Sequence, residues 1–296
     1  MQHYKNFQIA SYVRGEFLAQ AEISEIEEGI RYFSRYLPLD KVYLDTHRET
    51  FDVPVEKMKK VKELFESAGI RTAGAITSTI RFEGDDKFRI FDAFCFTDPV
   101  YREKYYDIVK YTASLFDEII LDDFFYTSCR CDSCIEAKGT GDWSGFRLKQ
   151  MEEVSREITA LAKSVNPNCK FVIKYPNWYE SYQETGYNPG VQKDIFDGIY
   201  TGTESRHPTY SQQHLQRYLS YSMIRLMENT APGKNGGGWI DQGDSEANLN
   251  IWLEQACLTL FAGARELTLF SFSELINTPS LPPLEQQLSR IDLSLI

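Results

Sequence analysis

The feature that most constrains the fold is an alternation between short apolar runs of strand length, eight in all, and longer segments with helical periodicity. The predicted strands are 7–13, 41–45, 71–77, 119–121, 169–175, 196–201, 236–241 and 266–270. The predicted helices are 23–36, 55–68, 98–116, 146–165, 210–227 and 246–264. Eight strand-helix units are the number found in a closed parallel barrel, so we predict an α/β fold, a (β/α)8 TIM barrel.

The main alternative is an open, doubly wound parallel sheet. That fold would carry a glycine-rich turn after its first strand, and residues 12–16, which read Tyr-Val-Arg-Gly-Glu, do not provide one. No linker, repeat or low-complexity tract divides the chain. We therefore expect residues 1–296 to form a single catalytic barrel domain. Residues 282–296 resemble the start of a closing helix, which leaves open whether a C-terminal accessory domain is missing from this sequence.

The charge balance bears on the class of partner. Lys and Arg number 32 against 43 Asp and Glu, which gives a net charge of -11 and a pI near 5.0. Nucleic acid binding depends on basic residues that neutralise phosphates, so we expect no nucleic acid partner. No apolar run approaches the roughly 20 residues that span a bilayer, and residues 1–10 do not resemble a signal peptide. We expect a soluble protein. Its oligomeric state stays open, and so does its compartment, which is the periplasm or the exterior if a leader was removed and otherwise the cytoplasm.

The candidate site is at the C-terminal ends of the strands, where barrels of this kind carry their active sites. Six of the eight predicted strands are followed there by polar or aromatic side chains. The predicted catalytic residues are Asp122, Asp123, Glu204 and Asp241. The predicted substrate contacts are His47, Arg48, Lys174, Tyr175, Asn177, Trp178, Arg206, His207, Trp239 and Glu274. For any one of these residues the alternative is a helix cap or a rim salt bridge, and this alternative applies most to Asp45 and Asp244.

Several acids on one rim, close to two tryptophans, meet the chemical requirements of glycosidic bond hydrolysis. One carboxyl group protonates the leaving oxygen while another attacks the anomeric carbon or activates water. Aromatic rings pack on the apolar faces of sugars, whereas cations and amides bond to hydroxyl groups. The sequence therefore predicts a glycoside hydrolase that cleaves an oligo- or polysaccharide with a pair of rim carboxylates and needs no cofactor for catalysis.

Residues 116–124, FDEIILDDF, resemble the fourth-strand motif of barrel glycoside hydrolases, in which a short apolar strand ends in an Asp. In α-amylase-like and α-galactosidase-like families this Asp is the nucleophile, and the resemblance implies that role for Asp122. The α-galactosidase-like families take their acid from the end of the sixth strand, where this sequence has Glu204. A broad clan of barrel hydrolases instead has Glu at the ends of strands 4 and 7. This sequence departs from that pattern, because it has Asp122 or Asp123 and Asp241 there.

Three cysteines lie in the loop after the fourth strand, as Cys129, Cys131 and Cys134. The loop resembles the structural zinc site of some barrel β-galactosidases. Zinc takes four ligands, and Cys95 at the end of another rim loop would be the fourth. Two alternatives are open: reduced thiols that only pack the loop, and a redox pair formed by Cys131 and Cys134. A catalytic metal is disfavoured, since the chain has only four His.

Two functions of other classes compete with hydrolysis. The first is a carbohydrate-binding barrel without turnover. The second is a lyase or aldolase in which Lys174 forms a Schiff base with a carbonyl substrate. Hydrolysis by a nucleophilic Ser or Cys is disfavoured, because no GxSxG elbow occurs. The glycines at 236–238 precede a strand end, so we predict that they allow close packing of the barrel wall and do not bind phosphate.

Overall fold

The computed structural model describes residues 3–81, 92–206, 217–241 and 249–277. Eight parallel strands form a closed barrel, because β1 pairs with both β2 and β9. The barrel strands are β1 (Gln8–Val13), β2 (Lys41–Arg48), β4 (Arg71–Ile76), β5 (Glu118–Leu121), β6 (Lys170–Tyr175), β7 (Gly198–Gly202), β8 (Asn235–Ile240) and β9 (Glu266–Phe270). A two-residue strand, β3 (Phe51–Asp52), pairs antiparallel with the end of β2. The predicted (β/α)8 barrel is confirmed.

The helices surround this sheet. They are α1 (Gly15–Gln20), α2 (Ile23–Tyr36), α3 (Val55–Ser67), α4 (Pro99–Ala113), α5 (Asp132–Lys138), α6 (Trp143–Val165), α7 (Tyr182–Thr185), α8 (Pro189–Gln192), α9 (Leu219–Thr230), α10 (Leu249–Phe261) and α11 (Phe272–Asn277). The predicted helix 23–36 is confirmed with both bounds. The predicted helices 210–227 and 246–264 overlap α9, which runs on to Thr230, and α10, which ends at Phe261, and 282–296 lies outside the described residues. The short helices α1, α5, α7, α8 and α11, which are too brief for a periodic signal, were not predicted.

Local signals explain where two of the helices begin. The predicted N-cap Asp98 accepts a hydrogen bond from the backbone N–H of Val100 at 2.9 Å, and Pro99 occupies the first helical position, where its missing N–H costs nothing. At the start of α2, the side chains of Glu22 and Glu25 form a reciprocal capping box. Among the described helices, none is both long and apolar enough to cross a bilayer.

Side chains fill the barrel interior, while larger apolar layers lie between sheet and helices. The interior cluster is aromatic and includes Tyr12, Tyr43, Tyr200 and Trp239. These bulky rings lie on two pairs of adjacent strands, β1 with β2 and β7 with β8, and they require small residues nearby. Gly237 meets that need, since an added Cβ would lie 2.2 Å from the backbone oxygen of Glu266. The prediction that these glycines allow close wall packing is confirmed.

The N-terminal end of the barrel is closed by a buried ion network. The Lys41 ammonium lies 2.7 Å from Glu118 and 2.8 Å from Glu266. Glu266 also accepts hydrogen bonds from the hydroxyl groups of Tyr43 at 2.6 Å and Tyr200 at 3.2 Å. Burial opposes ionisation of Glu118, but Lys41 outweighs it and lowers the pKa of that carboxyl. In barrels this face serves stability, which leaves the opposite rim for chemistry.

Candidate active site

The ammonium group of Lys174 is the centre of the rim at the C-terminal ends of the strands. Its Nζ lies 2.8 Å from Glu204, 2.9 Å from Asp123 and 3.4 Å from Asp122. It also lies 4.0 Å from the ring centroid of Trp239, which is a cation–π contact. Lys174 points into the barrel mouth because it precedes the end of β6 on the inward face, so β5, β6, β7 and β8 all contribute to one cluster.

Asp122 is held by groups from three other strand ends. Its Oδ2 lies 3.0 Å from the guanidinium of Arg48 and accepts a hydrogen bond from the Thr77 hydroxyl at 3.3 Å. Its Oδ1 accepts a 2.8 Å bond from the backbone N–H of Asp123. Arg48 also pairs with the fully buried Asp45 at 3.0 Å. Asp45 is therefore part of a rim salt bridge, which was the alternative interpretation for that residue.

Both adjacent aspartates contact the same ammonium, although neighbouring residues on a strand face opposite ways. The reason is local: β5 ends at Leu121, and a turn closes from the N–H of Phe125 to the backbone oxygen of Asp122. Their exposure differs, at 4% for the Asp122 side chain and 22% for that of Asp123. Asp122 therefore lies at the base of the cluster and Asp123 nearer to solvent.

Glu204 follows β7, and its two carboxylate oxygens differ in their contacts. Its Oε1 bonds Lys174, while its buried Oε2 has no hydrogen-bond partner among the described residues. That oxygen packs closely on Gly202, where an added Cβ would lie 2.8 Å away. The backbone oxygen of Glu204 accepts a 2.8 Å hydrogen bond from the Asn177 amide. A buried lone pair of this kind needs a donor or a proton, and a bound substrate hydroxyl or glycosidic oxygen can supply the contact.

Arg206 and Asp241 form a two-bond ion pair beside Glu204. The guanidinium Nε and Nη2 lie 2.8 and 3.1 Å from the two oxygens of Asp241. Arg206 has a positive φ of 52°, a backbone conformation that residues other than Gly rarely adopt. Such backbone strain is concentrated at functional sites, where surrounding contacts maintain it.

The surroundings shift the pKa values of the three carboxyl groups around Lys174 in different directions. Burial opposes ionisation of Asp122, but Lys174 and Arg48 outweigh it and lower its pKa. Burial and the charges of Asp122 and Glu204 raise the pKa of Asp123 to about 7, despite the nearby ammonium. Burial, with the charge of Asp241, also raises the pKa of Glu204. Burial disfavours the Lys174 ammonium, yet the surrounding carboxylates raise its pKa.

An aromatic wall, defined as Tyr126, Trp178, Tyr182 and Tyr187, adjoins the cluster. Their ring centroids lie 5.4 to 6.2 Å apart in the neighbouring pairs. Trp178 is half-buried, whereas Tyr187 is 1% exposed and its hydroxyl has no partner among the described residues. Tyr187 was not predicted, because it follows the strand end by twelve residues and carries no local signal.

Two predicted substrate contacts, Tyr175 and His47, do not reach the cluster. Tyr175 alternates with Lys174 on β6 and therefore packs outward against the helices, with its hydroxyl 3.3 Å from Gln192. The ring of His47 is fully buried between Asp52 and the backbone oxygen of Thr79. Glu274 borders the site: it pairs with Arg14 at 3.0 Å, and burial and the charge of the nearby Asp241 raise its pKa. Predicted residue His207, like Asp244, lies outside the described residues.

Tyr12 and Thr77 belong to the site and were missed. The Tyr12 hydroxyl and Thr77 Oγ1 lie 3.0 Å apart, and Thr77 contacts both Asp45 and Asp122. Both residues stand at strand ends, so the rule that found the acids extends to hydroxyl groups at the same positions.

The four cysteines near the rim form one cluster. The sulfur atoms of Cys95, Cys129, Cys131 and Cys134 all lie within 4.8 Å of one another. Cys95 Sγ lies 3.8 Å from Cys131 and 3.6 Å from Cys134, and no disulfide forms among the described cysteines. Hydrogen bonds from the Cys129 and Cys134 thiols lower the pKa of Cys95. Cys95 therefore lies beside the three loop cysteines, and the four sulfur atoms are close enough together to hold a metal ion.

A closed barrel with carboxylates on its C-terminal rim is an arrangement found in many glycoside hydrolases. A model of the family described as "Probable glycosyl hydrolase, catalytic domain" matches residues 1–287, and the chain belongs to this family. It is 27% identical over 302 residues to "Uncharacterized protein SSO3021" from Saccharolobus solfataricus, covering 92% of this chain and 50% of that protein. The chain thus spans about half the length of this curated relative.

Solved glycosidases share the fold at low sequence identity. The β-galactosidase from the psychrophilic Marinomonas ef1 gives a TM-score of 0.64 at 11% identity, covering 90% of this chain and 54% of that one. The β-amylase catalytic domain from Paenibacillus polymyxa gives 0.61 at 12% identity over 97% of each chain. The endo-β-1,4-mannanase from Thermotoga petrophila gives 0.59 at 13% identity, covering 90% of this chain and 68% of that one.

Proposed function

We propose that this glycoside hydrolase cleaves an oligo- or polysaccharide with Asp122 as the ionised carboxylate and Glu204 as the proton donor. The observation that carries the proposal is that one ammonium gathers carboxyl groups whose surroundings shift their pKa values in opposite directions. Such separation of pKa values is how an acid and a base are assigned within one site. The Oε2 of Glu204 has no hydrogen-bond partner within the described part of the chain, which supports its role as the group that contacts the glycosidic oxygen.

The spacing favours retention of anomeric configuration. Asp122 Oδ1 and Glu204 Oε1 lie 3.4 and 2.8 Å from the same Nζ, so they are no more than about 6.2 Å apart. Inverting enzymes need about 6.5 to 9.5 Å between the carboxyl groups to admit a water, whereas retaining enzymes use about 5.5 Å. Asp122 would then attack the anomeric carbon while Glu204 protonates the leaving oxygen. Water would hydrolyse the glycosyl-enzyme after giving its proton to Glu204.

Lys174, Arg48 and Arg206 have supporting roles in this proposal. Lys174 and Arg48 keep Asp122 anionic and oriented, and Arg206 holds Asp241 beside Glu204. The raised pKa of Lys174 disfavours the competing Schiff-base function, because that chemistry requires a neutral amine. The half-buried Trp178 would supply an apolar surface for a sugar ring, and the buried tyrosines of the aromatic wall would hold Trp178 in place.

The test is hydrolysis of a panel of oligosaccharides and aryl glycosides by the wild type and by Asp122→Asn and Glu204→Gln. The product configuration is read by NMR within the first turnovers. We expect retention, and a loss of at least about 10²-fold in kcat for each variant on natural glycans. Glu153→Gln, an exposed carboxylate on α6, is the matched control and should be unchanged. Full activity of Asp122→Asn and Glu204→Gln, or an inverted first product, would refute the assignment.

We also propose that the four-cysteine cluster holds a structural zinc ion. An ideal tetrahedron with Zn–S bonds of about 2.3 Å has sulfur–sulfur edges of about 3.8 Å, which agrees with the 3.6 to 3.8 Å contacts of Cys95 and of Cys131 with Cys134. The backbone N–H groups of Asp98 and Cys131 point to Cys95 and Cys129, at 3.4 and 3.5 Å, and would stabilise thiolates. The test is metal analysis of the purified wild type and of the variants Cys131→Ser and Cys257→Ser. One equivalent of zinc in the wild type and in Cys257→Ser, but not in Cys131→Ser, would support the proposal.

A further inference from the structure

We infer that Arg147 is a positioning residue through which the four-cysteine cluster fixes the aromatic wall of the cleft, and this inference rests on the metal site proposed above. Arg147 is 5% exposed and lies on α6, which belongs neither to the cysteine loop nor to the strand ends. Its guanidinium contacts both the start of the cysteine loop and the turn that carries part of the aromatic wall, which are far apart in the sequence.

The contacts of Arg147 with the two regions are direct. Its Nη2 donates to the backbone oxygen of Ser128, next to Cys129, at 3.0 Å. Its Nη1 donates to the backbone oxygen of Glu184 in α7, the turn between Tyr182 and Tyr187, at 2.6 Å. The backbone adds one more link, from the N–H of Thr127 to the oxygen of Thr185 at 3.2 Å. The cysteine loop and the turn that carries two rings of the wall are therefore clamped together.

The charge of Arg147 explains why the metal matters. Its buried Nε has no hydrogen-bond partner among the described residues, its guanidinium lies 4.9 Å from the ring centroid of Trp143, and burial lowers its pKa. A buried cation requires compensation. A zinc ion with four thiolates carries a net charge of about -2, whereas four neutral thiols carry none. The metal-loaded cluster thus provides the counter-charge that keeps Arg147 between the loop and the turn.

The position of Gly186 makes the clamp tight. Gly186 has a φ of +93°, and an added Cβ would lie 2.8 Å from the backbone oxygen of Arg147. The turn at Tyr182–Thr185 therefore rests on the α6 backbone at the same place where the guanidinium holds it. Release of the guanidinium would free the segment that positions Tyr182 and Tyr187 against Trp178.

The expected effect is on substrate binding and on the wall, with the acids around Lys174 left intact. Arg147→Met keeps the length of the side chain and removes the charge, and Lys149→Met on the same helix, 80% exposed, is the control. We expect KM for an oligosaccharide to be about tenfold higher both in Arg147→Met and in the wild type after chelation, because about tenfold is the effect of losing one charge-assisted hydrogen bond. The value of kcat should change by less than about twofold. In the Arg147→Met background, chelation should add little.

A readout independent of catalysis is the emission of Trp178. The change in tryptophan fluorescence on chelation is measured in the wild type and in Trp178→Phe, and the difference belongs to Trp178. We expect a Trp178 signal in the wild type that is lost in Arg147→Met and kept in Lys149→Met. The inference is overturned if chelation leaves Trp178 and KM unchanged, if Arg147→Met behaves as Lys149→Met, or if the protein binds no metal. A metal-dependent Trp178 signal without any hydrolysis would instead retain the inference and remove the proposed function.

Discussion

Lys174 Nζ and Glu204 Oε1 lie 2.8 Å apart, and each side chain is no more than 3% exposed. A contact this deeply buried is costly to build, because the ammonium and the carboxyl group both lose their hydration. Its value here is positional, since the same ammonium also reaches two aspartates and the face of a tryptophan. The pair therefore fixes the acid of one strand end relative to the carboxylates of another.

The loss of activity in Glu204→Gln should depend on the leaving group of the substrate. An acid is needed most when the leaving oxygen is basic, so the variant should lose about 10² to 10⁴-fold in kcat/KM on natural glycans and much less on nitrophenyl glycosides. Because Glu204 has a raised pKa and acts protonated, the wild type should lose activity as pH rises through that pKa. The alkaline limb should vanish in Glu204→Gln. An unchanged limb would assign the proton donor elsewhere, with Asp123 the next candidate.

The pH dependence of stability is expected to follow Asp123. Its pKa is raised to about 7 in the folded protein, against about 3.9 when unfolded. Between these values the folded state binds more protons than the unfolded state, so the free energy of unfolding should fall as pH rises from about 4 to 7. Asp123→Asn should flatten this slope in urea titrations at several pH values. Glu153→Gln should retain it, and an unaltered slope in Asp123→Asn would contradict the shift.

Breaking the ion network at the closed end of the barrel should destabilise the fold without changing the chemistry. Lys41→Met leaves Glu118 and Glu266 without their cation, and such a change costs about 3 to 5 kcal/mol. Denaturant unfolding measures the loss, with Lys149→Met as an exposed control. The kcat of the folded fraction should stay within about twofold of the wild type, because the network lies at the opposite end of the barrel from the acids.

Close packing of the barrel wall predicts a marked cost for one methyl group. Gly237→Ala would place Cβ 2.2 Å from the oxygen of Glu266 and 2.7 Å from the Tyr200 hydroxyl, and overpacking of this kind costs about 1 to 3 kcal/mol or more. Gly190→Ala is the matched control, since its nearest neighbour would lie 3.5 Å away in an exposed helix. Thermal unfolding that is equal for the two variants would show that the wall relaxes easily.

Much of the architecture was predictable, because strand and helix periodicity are local properties of the chain. The eight apolar runs, the helix 23–36 and the Asp98 cap all depend on residues close in sequence. The strand-end rule then brought Asp122, Asp123, Lys174 and Glu204 to one rim, since parallel strands in a barrel end on the same side. Their assembly around a single ammonium could not be predicted, because it depends on the barrel's radius and register.

The sequence by itself determined a barrel with an acidic rim and a cysteine-rich loop, since composition and periodicity carry that information. Only the tertiary structure decided which side chains meet. Tyr175 faces outward although it adjoins Lys174, Asp123 turns to the same side as Asp122 because the strand has already ended, and Cys95 joins three cysteines more than thirty residues away. Each outcome depends on pleat direction, strand termination or loop approach. These are relations in space, and they also set the pKa values on which the proposed chemistry depends.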